Sequence, residues 1–311
     1  MLQGIIPPIV TPLTRPETLD ITSLRRLIEH VVMGGVHGVF VLGSTGESPS
    51  LSMDLRRSVI AQTCAGVFGR VWVLVNVSDT AMTHSVALAK CAYDNGASAV
   101  AFSPPCYFPL SPQDVLRNAR TFCEQSPLPV FLYNVPQYAH NEFAPEAVRE
   151  LASLPNVAGL KNSNGSLEYF RTVHDAVSHR SDFSVFVGNE EILLPALRAG
   201  AHGGVCGGAN LFPELYVRLY EAATNGRDSE AEALHELVVR VSEAVYRVGP
   251  VESSYLRGLK SALSFLKLIN DVLAEPFQPL NESERAELQA RFRPVLEAVG
   301  AMDCVSERNA S

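Results

Sequence analysis

Lysine is scarce in this chain: four among 311 residues, at Lys90, Lys161, Lys260 and Lys267. No basic run occurs and the formal net charge is −8, which argues against nucleic acid as a partner. No uncharged apolar stretch is long enough for a membrane-spanning helix. The first residues, Met1-Leu2-Gln3-Gly4-Ile5-Ile6-Pro7, lack a basic segment and an apolar segment after it, so no secretory signal is expected. The six cysteines (Cys64, Cys91, Cys106, Cys123, Cys206 and Cys304) include no C-x-x-C pair. That pattern predicts reduced thiols in a cytoplasmic protein rather than disulfides or zinc. No His/Cys/Asp/Glu spacing suggests a metal site, and no P-loop, G-x-G-x-x-G turn or G-x-S-x-G elbow is present.

What is present is a large apolar fraction, 47%, with 19% charged residues. Those values suit a globular chain with a sizeable core. Short, mostly apolar runs, continuous in Val39-Phe40-Val41-Leu42, alternate with segments of helical periodicity. The runs fall at 5–11, 39–42, 71–75, 97–102, 130–133, 157–161, 183–187 and 203–206. Helices are expected at 22–33, 53–67, 81–94, 112–124, 145–151, 167–178, 190–199 and 213–223. Strands apolar throughout belong to parallel sheets covered by helices. Eight strand–helix units predict a (β/α)8 TIM barrel over residues 1–225. A weak repeat, a glycine closing a helix before the next strand, recurs at Gly35, Gly96 and Gly200. Residues 226–302 read as three helices packed on the barrel (231–246, 253–268 and 282–299), and the polar residues 303–311 are expected to fray.

Barrels of this kind carry their chemistry at the C-terminal ends of the strands. Lys161 ends the apolar run Val157-Ala158-Gly159-Leu160, whereas the other three lysines fall in helical segments. A lysine there either snorkels to water or, if buried, loses its proton and becomes a nucleophile toward carbonyls. Tyr133 ends the fifth run, and Ser163 follows Lys161. Gly43, Ser44 and Thr45 follow the second run; Gly188, Glu190 and Glu191 follow the seventh; Val205 and Gly207 end the eighth. A lysine amine can form a Schiff base with a 2-oxo acid. Adjacent hydroxyls in a glycine turn can donate to its carboxylate, and a tyrosine can shuttle protons. Glu190 and Glu191 offer acceptors for hydroxyl groups, although acidic residues also suit a helix start for structural reasons.

Three motifs in this order, Gly43-Ser44-Thr45-Gly46-Glu47, Tyr133-Asn134-Val135-Pro136 and Gly159-Leu160-Lys161, resemble the dihydrodipicolinate synthase / N-acetylneuraminate lyase family. The resemblance covers about residues 3–300. It implies a class I pyruvate-dependent lyase or aldolase with a Schiff base on Lys161, proton transfer by Tyr133, and carboxylate binding by Ser44 and Thr45. It also implies no metal or organic cofactor and a homotetramer or homodimer. Tyr107 matches a catalytic tyrosine that the synthases contribute across a dimer interface. The synthases usually carry Gly-Thr-Thr-Gly-Glu and, two residues after the Tyr-Asn-Val-Pro proline, an arginine; here those places hold Ser44 and Tyr138. A phenol cannot clamp a carboxylate as an arginine does. Sugar-acid lyases of the family share Gly-Ser-Thr-Gly-Glu, and N-acetylneuraminate lyases also place an acidic pair where Glu190 and Glu191 stand and a hydroxyl residue where Ser163 stands. Their usual Gly-Ser-Thr-Tyr-Asn is Cys206-Gly207-Gly208-Ala209-Asn210 here, three hydroxyls poorer. The expected substrate is thus a 2-keto-3-deoxy sugar acid or an N-acetylneuraminate-like 2-oxo acid, with aspartate semialdehyde condensation as the alternative; a non-catalytic barrel is the third reading, against which Lys161 and Tyr133 argue.

Overall fold

The computed structural model describes residues 1–249 and 251–309. Eight parallel strands follow one another around a barrel: β1 (Gly4–Ile5), β2 (Gly38–Val41), β3 (Trp72–Asn76), β4 (Ala99–Phe102), β5 (Val130–Asn134), β6 (Val157–Asn162), β7 (Ser184–Val187) and β8 (Gly203–Gly204). The expected first strand is cut to two residues by Pro7 and Pro8, which have no N–H to give a ladder. The seam still closes, because Phe40 N–H donates to the Pro7 carbonyl at 2.9 Å and Ile9 N–H to the Phe40 carbonyl at 2.8 Å. A short hairpin, Leu13–Arg15 with Thr18–Leu19, follows and was not legible as strands. The (β/α)8 expectation is otherwise met.

Side-chain alternation builds two cores. Inward-facing Phe40, Leu74, Ala101, Phe131, Tyr133 and Phe186 fill the barrel. Outward-facing Val39, Val75, Val100, Leu132, Leu160 and Val185 meet the surrounding helices. Those helices are α1 (Ile21–Met33), α2 (Met53–Val67), α3 (Met82–Asp94), α4 (Pro112–Gln125), the single turn α5 (Pro136–Ala139), α6 (Pro145–Leu151), α7 (Leu167–Val177), α8 (Leu193–Arg198) and α9 (Pro213–Thr224). Several begin on a side-chain cap: Asp20, Ser52, Ser111 and Ser166 each accept a backbone N–H three residues on. The helix expected from 190 starts only at Leu193, after a 3₁₀ turn, Glu190–Ile192. Pro195 gives the reason, since its ring would clash with the Glu191 carbonyl four residues back. That carbonyl bonds His235 Nε2 at 3.1 Å instead.

Beyond α9 the chain is helical: α10 (Asp228–Val245), α11 (Val251–Phe265) and α12 (Glu282–Asn309). The segment from 303, expected to fray, continues α12 to Asn309, because no glycine or proline after Gly300 interrupts it. Ala310 and Ser311 lie outside the described residues. α11 carries a second buried lysine that sequence reading placed on an ordinary helix. Lys260 is fully buried, ion-paired to Glu47 and bonded to the Val272 carbonyl at 2.8 Å. Glu47 also accepts the Ala274 N–H at 2.8 Å, so its carboxylate ties the turn after β2 to the C-terminal helices.

Removing one partner of such a pair strands the other charge. Lys260→Met is expected to lower unfolding free energy by roughly 3–5 kcal/mol, read from the urea midpoint. An unchanged midpoint would show that the pair does not hold this turn.

Candidate active site

The pairing register brings the central residues together. Tyr133 on β5 pairs with Lys161 on β6, and Lys161 with Phe186 on β7, so all three side chains share one inward layer. The layer beneath is closed by Phe131. It fits only because Gly159 lacks a side chain: a Cβ there would lie 2.4 Å from the Phe131 ring and 2.4 Å from the Ser184 carbonyl. Lys161 is therefore held above a hydrophobic floor, 4% exposed. Its Nζ lies 4.4 Å from the centre of the Phe40 ring and 4.2 Å from that of Tyr133. Among the described residues it has no carboxylate partner. Burial lowers its pKa from the ordinary lysine range to about 7, with a small opposing effect of Cys206.

Above this layer a cavity of about 180 Å³ opens at the C-terminal ends of the strands. Ser44 and Thr45 reach it from the turn after β2. That turn is fixed by Gly46 N–H to the Gly43 carbonyl at 3.0 Å, by Glu47 N–H to the Ser44 carbonyl at 3.0 Å, and by Thr11 Oγ1 to the Gly46 carbonyl at 2.7 Å. Ser44 Oγ is 3.3 Å from the Tyr133 hydroxyl. Burial pushes the Tyr133 phenol up, against hydrogen bonds from Ser44 and Ser163 that favour the phenolate. Ser163 itself is placed by its N–H bond to the Asn134 carbonyl at 2.8 Å. Gly188 leaves room for it, since a Cβ at that position would meet Ser163 Oγ at 2.1 Å.

Glu190, Glu191, Val205, Gly207 and Tyr138 also line the cavity. Glu190 differs from the expectation of a free acceptor. It is buried, and its Oε1 accepts the Tyr216 hydroxyl at 2.8 Å and the Tyr246 hydroxyl at 2.9 Å, while Oε2 accepts the Gly208 N–H at 3.0 Å. Burial pushes its pKa up to about 7. Glu191 is exposed and takes the Ser242 hydroxyl at 2.6 Å, leaving it open to the cavity.

Two expected residues do not reach the cavity in this chain. Gly43 lies behind it, with the Phe40 ring where a Cβ would go, at 2.6 Å. Tyr107 is 78% exposed and stacks edge to face on Phe108, which is 69% exposed. Asn141 pins the backbone of its loop through the Pro105 and Phe108 carbonyls and the Leu110 N–H, which leaves both rings outside. Sequence reading missed Tyr246 and Tyr255, which enter from the C-terminal helices. Tyr255 Oη lies 2.9 Å from Thr45 Oγ1. No spacing relates them to the strand ends, so only the fold reveals them.

A second cavity of about 310 Å³ adjoins the first across Ser44, Tyr133, Val135 and Tyr138. Its one guanidinium, Arg56, is bonded to Asp79 at 2.7 Å. No group of potential metal ligands and no helix long and apolar enough to cross a membrane occurs among the described residues.

The chain is similar over nearly its whole length to known proteins. It is 33% identical over 289 residues to an uncharacterised DapA-like lyase of Halobacterium salinarum, covering 93% of this chain and 92% of that one. It is 30% identical over 295 residues to an N-acetylneuraminate lyase of Rhizobium meliloti, covering 95% and 96%. The solved structure of dihydrodipicolinate synthase from Bacteroides thetaiotaomicron superposes with a TM-score of 0.91 at 46% identity, covering 94% and 98%. Residues 1–294 match the model of the dihydrodipicolinate synthetase family. With a lysine on the sixth strand of the barrel, a tyrosine beside it and this match, the chain belongs to the dihydrodipicolinate synthetase family of pyruvate-dependent lyases and synthases.

Proposed function

We propose that the protein is a Schiff-base-forming aldolase-type lyase that cleaves or forms a hydroxylated 2-oxo acid, in the class of 2-keto-3-deoxy sugar acids. The observation that carries this reading is Lys161, a buried amine without a carboxylate partner beside a tyrosine hydroxyl. With a pKa of about 7, roughly half of the amine is neutral at pH 7, against about one part in 2,500 for an ordinary lysine. The neutral Nζ adds to the C2 carbonyl, water leaves, and an imine forms. Cleavage then breaks the C3–C4 bond. Its electron pair moves to C3 as an enamine, Tyr133 takes the C4 hydroxyl proton as its own passes through Ser44 to the substrate carboxylate, and C4 leaves as an aldehyde. The enamine takes a proton at C3, and water returns the imine to pyruvate and free Lys161. Condensation is the same sequence reversed. Ser44 and Thr45 are assigned to the substrate carboxylate, and Ser163, Glu191 and Tyr138 to its remaining part. The chemistry needs neither metal nor organic cofactor.

Against a second substrate carboxylate stands the cavity lining, in which Lys161 is the one cationic side chain among the described residues. Tyr138 supplies a phenol at the mouth, and Glu191 would repel a carboxylate. The alternative, condensation of pyruvate with aspartate semialdehyde, is favoured by the 46% identity to a dihydrodipicolinate synthase. A homotetramer or homodimer is part of the proposal: the exposed Tyr107–Phe108 pair suits burial against a second copy.

Pyruvate with borohydride is expected to add a stable mass that maps to Lys161. Imine formation should rise with pH through about 7 and level off above it, because the neutral amine is the nucleophile. An adduct on another lysine, or none, would refute the Schiff base. Tyr133→Phe keeps the ring and should still be trapped, while turnover falls by roughly 10²–10⁴-fold; unchanged turnover would make Tyr133 a packing residue. Specificity constants should favour cleavage of 2-keto-3-deoxy sugar acids over condensation with aspartate semialdehyde by about tenfold to a hundredfold. Efficient use of the semialdehyde with inert sugar acids would decide for the synthase.

A further inference from the structure

Tyr246, just past the end of α10, and Tyr255, on α11, meet edge to face with ring centres 4.7 Å apart. Both hydroxyls converge on the turn after β8. A Cβ at Gly207 would lie 2.2 Å from Tyr255 Oη and 3.0 Å from Tyr246 Oη. The two phenols therefore occupy the space that a side chain at position 207 would fill, and both line the cavity above Lys161.

The proton of Tyr246 is committed. Its hydroxyl donates to Glu190 Oε1 at 2.9 Å, and an ionised carboxylate has only acceptors to offer in return. Tyr216 and the Gly208 N–H donate to the same carboxylate, so Glu190 cannot turn away without leaving buried donors unpaired. A phenol carries one proton. With that proton on Glu190, the Tyr246 oxygen can only accept.

Two neighbours in the cavity wall also offer acceptors. Glu191 is a carboxylate whose other hydrogen-bond partner is the Ser242 hydroxyl. Asn189 Oδ1 is buried and has no partner among the described residues. Buried acceptors discriminate sharply, because a ligand without donors leaves them unpaired.

Resting on the Schiff-base reading above, we infer that Tyr246 is a specificity-determining residue that accepts a hydrogen bond from a substrate hydroxyl and selects aldehydes bearing hydroxyl groups over those without. Glu190 is its positioning residue, acting by holding the Tyr246 proton away from the cavity.

The test is pyruvate condensation at pH 8, where Glu190 is ionised, with glyceraldehyde and with propanal as acceptors. The wild type is expected to favour glyceraldehyde in kcat/KM by about tenfold or more. Tyr246→Phe keeps the ring against Tyr255 and should lower that ratio by roughly tenfold; comparing the two proteins cancels the different reactivities of the aldehydes. An unchanged ratio in the variant overturns the assignment. So does equal or absent use of the two aldehydes by the wild type, a result that does not depend on how the variant folds. Borohydride trapping of pyruvate separates the two readings. Normal trapping with an unchanged ratio removes Tyr246 alone, whereas no trapping in the wild type removes the Schiff base on which it rests.

Discussion

A lysine side chain taken out of water without a counterion is the constraint on which this structure turns. The chain buries two lysines and treats them in opposite ways. Lys260 is given Glu47 and a backbone carbonyl, which oppose the lowering of its pKa by burial at a structural joint. Lys161 is given two aromatic faces and no carboxylate among the described residues. Ring faces compensate an ammonium only in part, so the balance tips toward the neutral amine. Everything around Lys161 supports that imbalance: the small Gly159 beneath it, the Phe131 floor, and the β5–β6 register that sets Tyr133 alongside.

Much of this was legible in the sequence. The β strands are visible as apolar runs, and the strand-end rule for barrels singles out Lys161, Tyr133, Ser44, Thr45 and Ser163. What stayed hidden has a physical pattern. Pro7, Pro8 and Pro195 shortened elements that hydrophobicity alone had lengthened, because periodicity does not register a missing N–H. Glu190 looked like an acceptor for ligand hydroxyls, yet three protein donors already occupy it. Tyr246 and Tyr255 carried no signal at all, since a tyrosine on an amphipathic helix reads the same whether it faces solvent, core or ligand.

The C-terminal helices are consequently more than a cover for the barrel. α11 grips the turn after β2 at two points, Tyr255 on Thr45 and Lys260 on Glu47. The 3₁₀ turn after β7 is held from α9 by Tyr216 and from the α10 end by Tyr246, both through Glu190. Two of the strand-end segments that form the site thus take their position from residues far along the chain. The C-terminal helices thus share with the strand ends the definition of the cavity.

The glycines at 207 and 208 have an evolutionary consequence. A Cβ at Gly207 would meet the Tyr255 hydroxyl, and one at Gly208 would meet that of Tyr216 at 2.0 Å. Each glycine and the phenol opposite it are thus two halves of one volume. A side chain introduced on the loop alone collides; a tyrosine removed alone leaves a hole and an unsatisfied Thr45 or Glu190. Neither single step is neutral, so the route between this cavity and one lined by loop hydroxyls runs through paired exchanges.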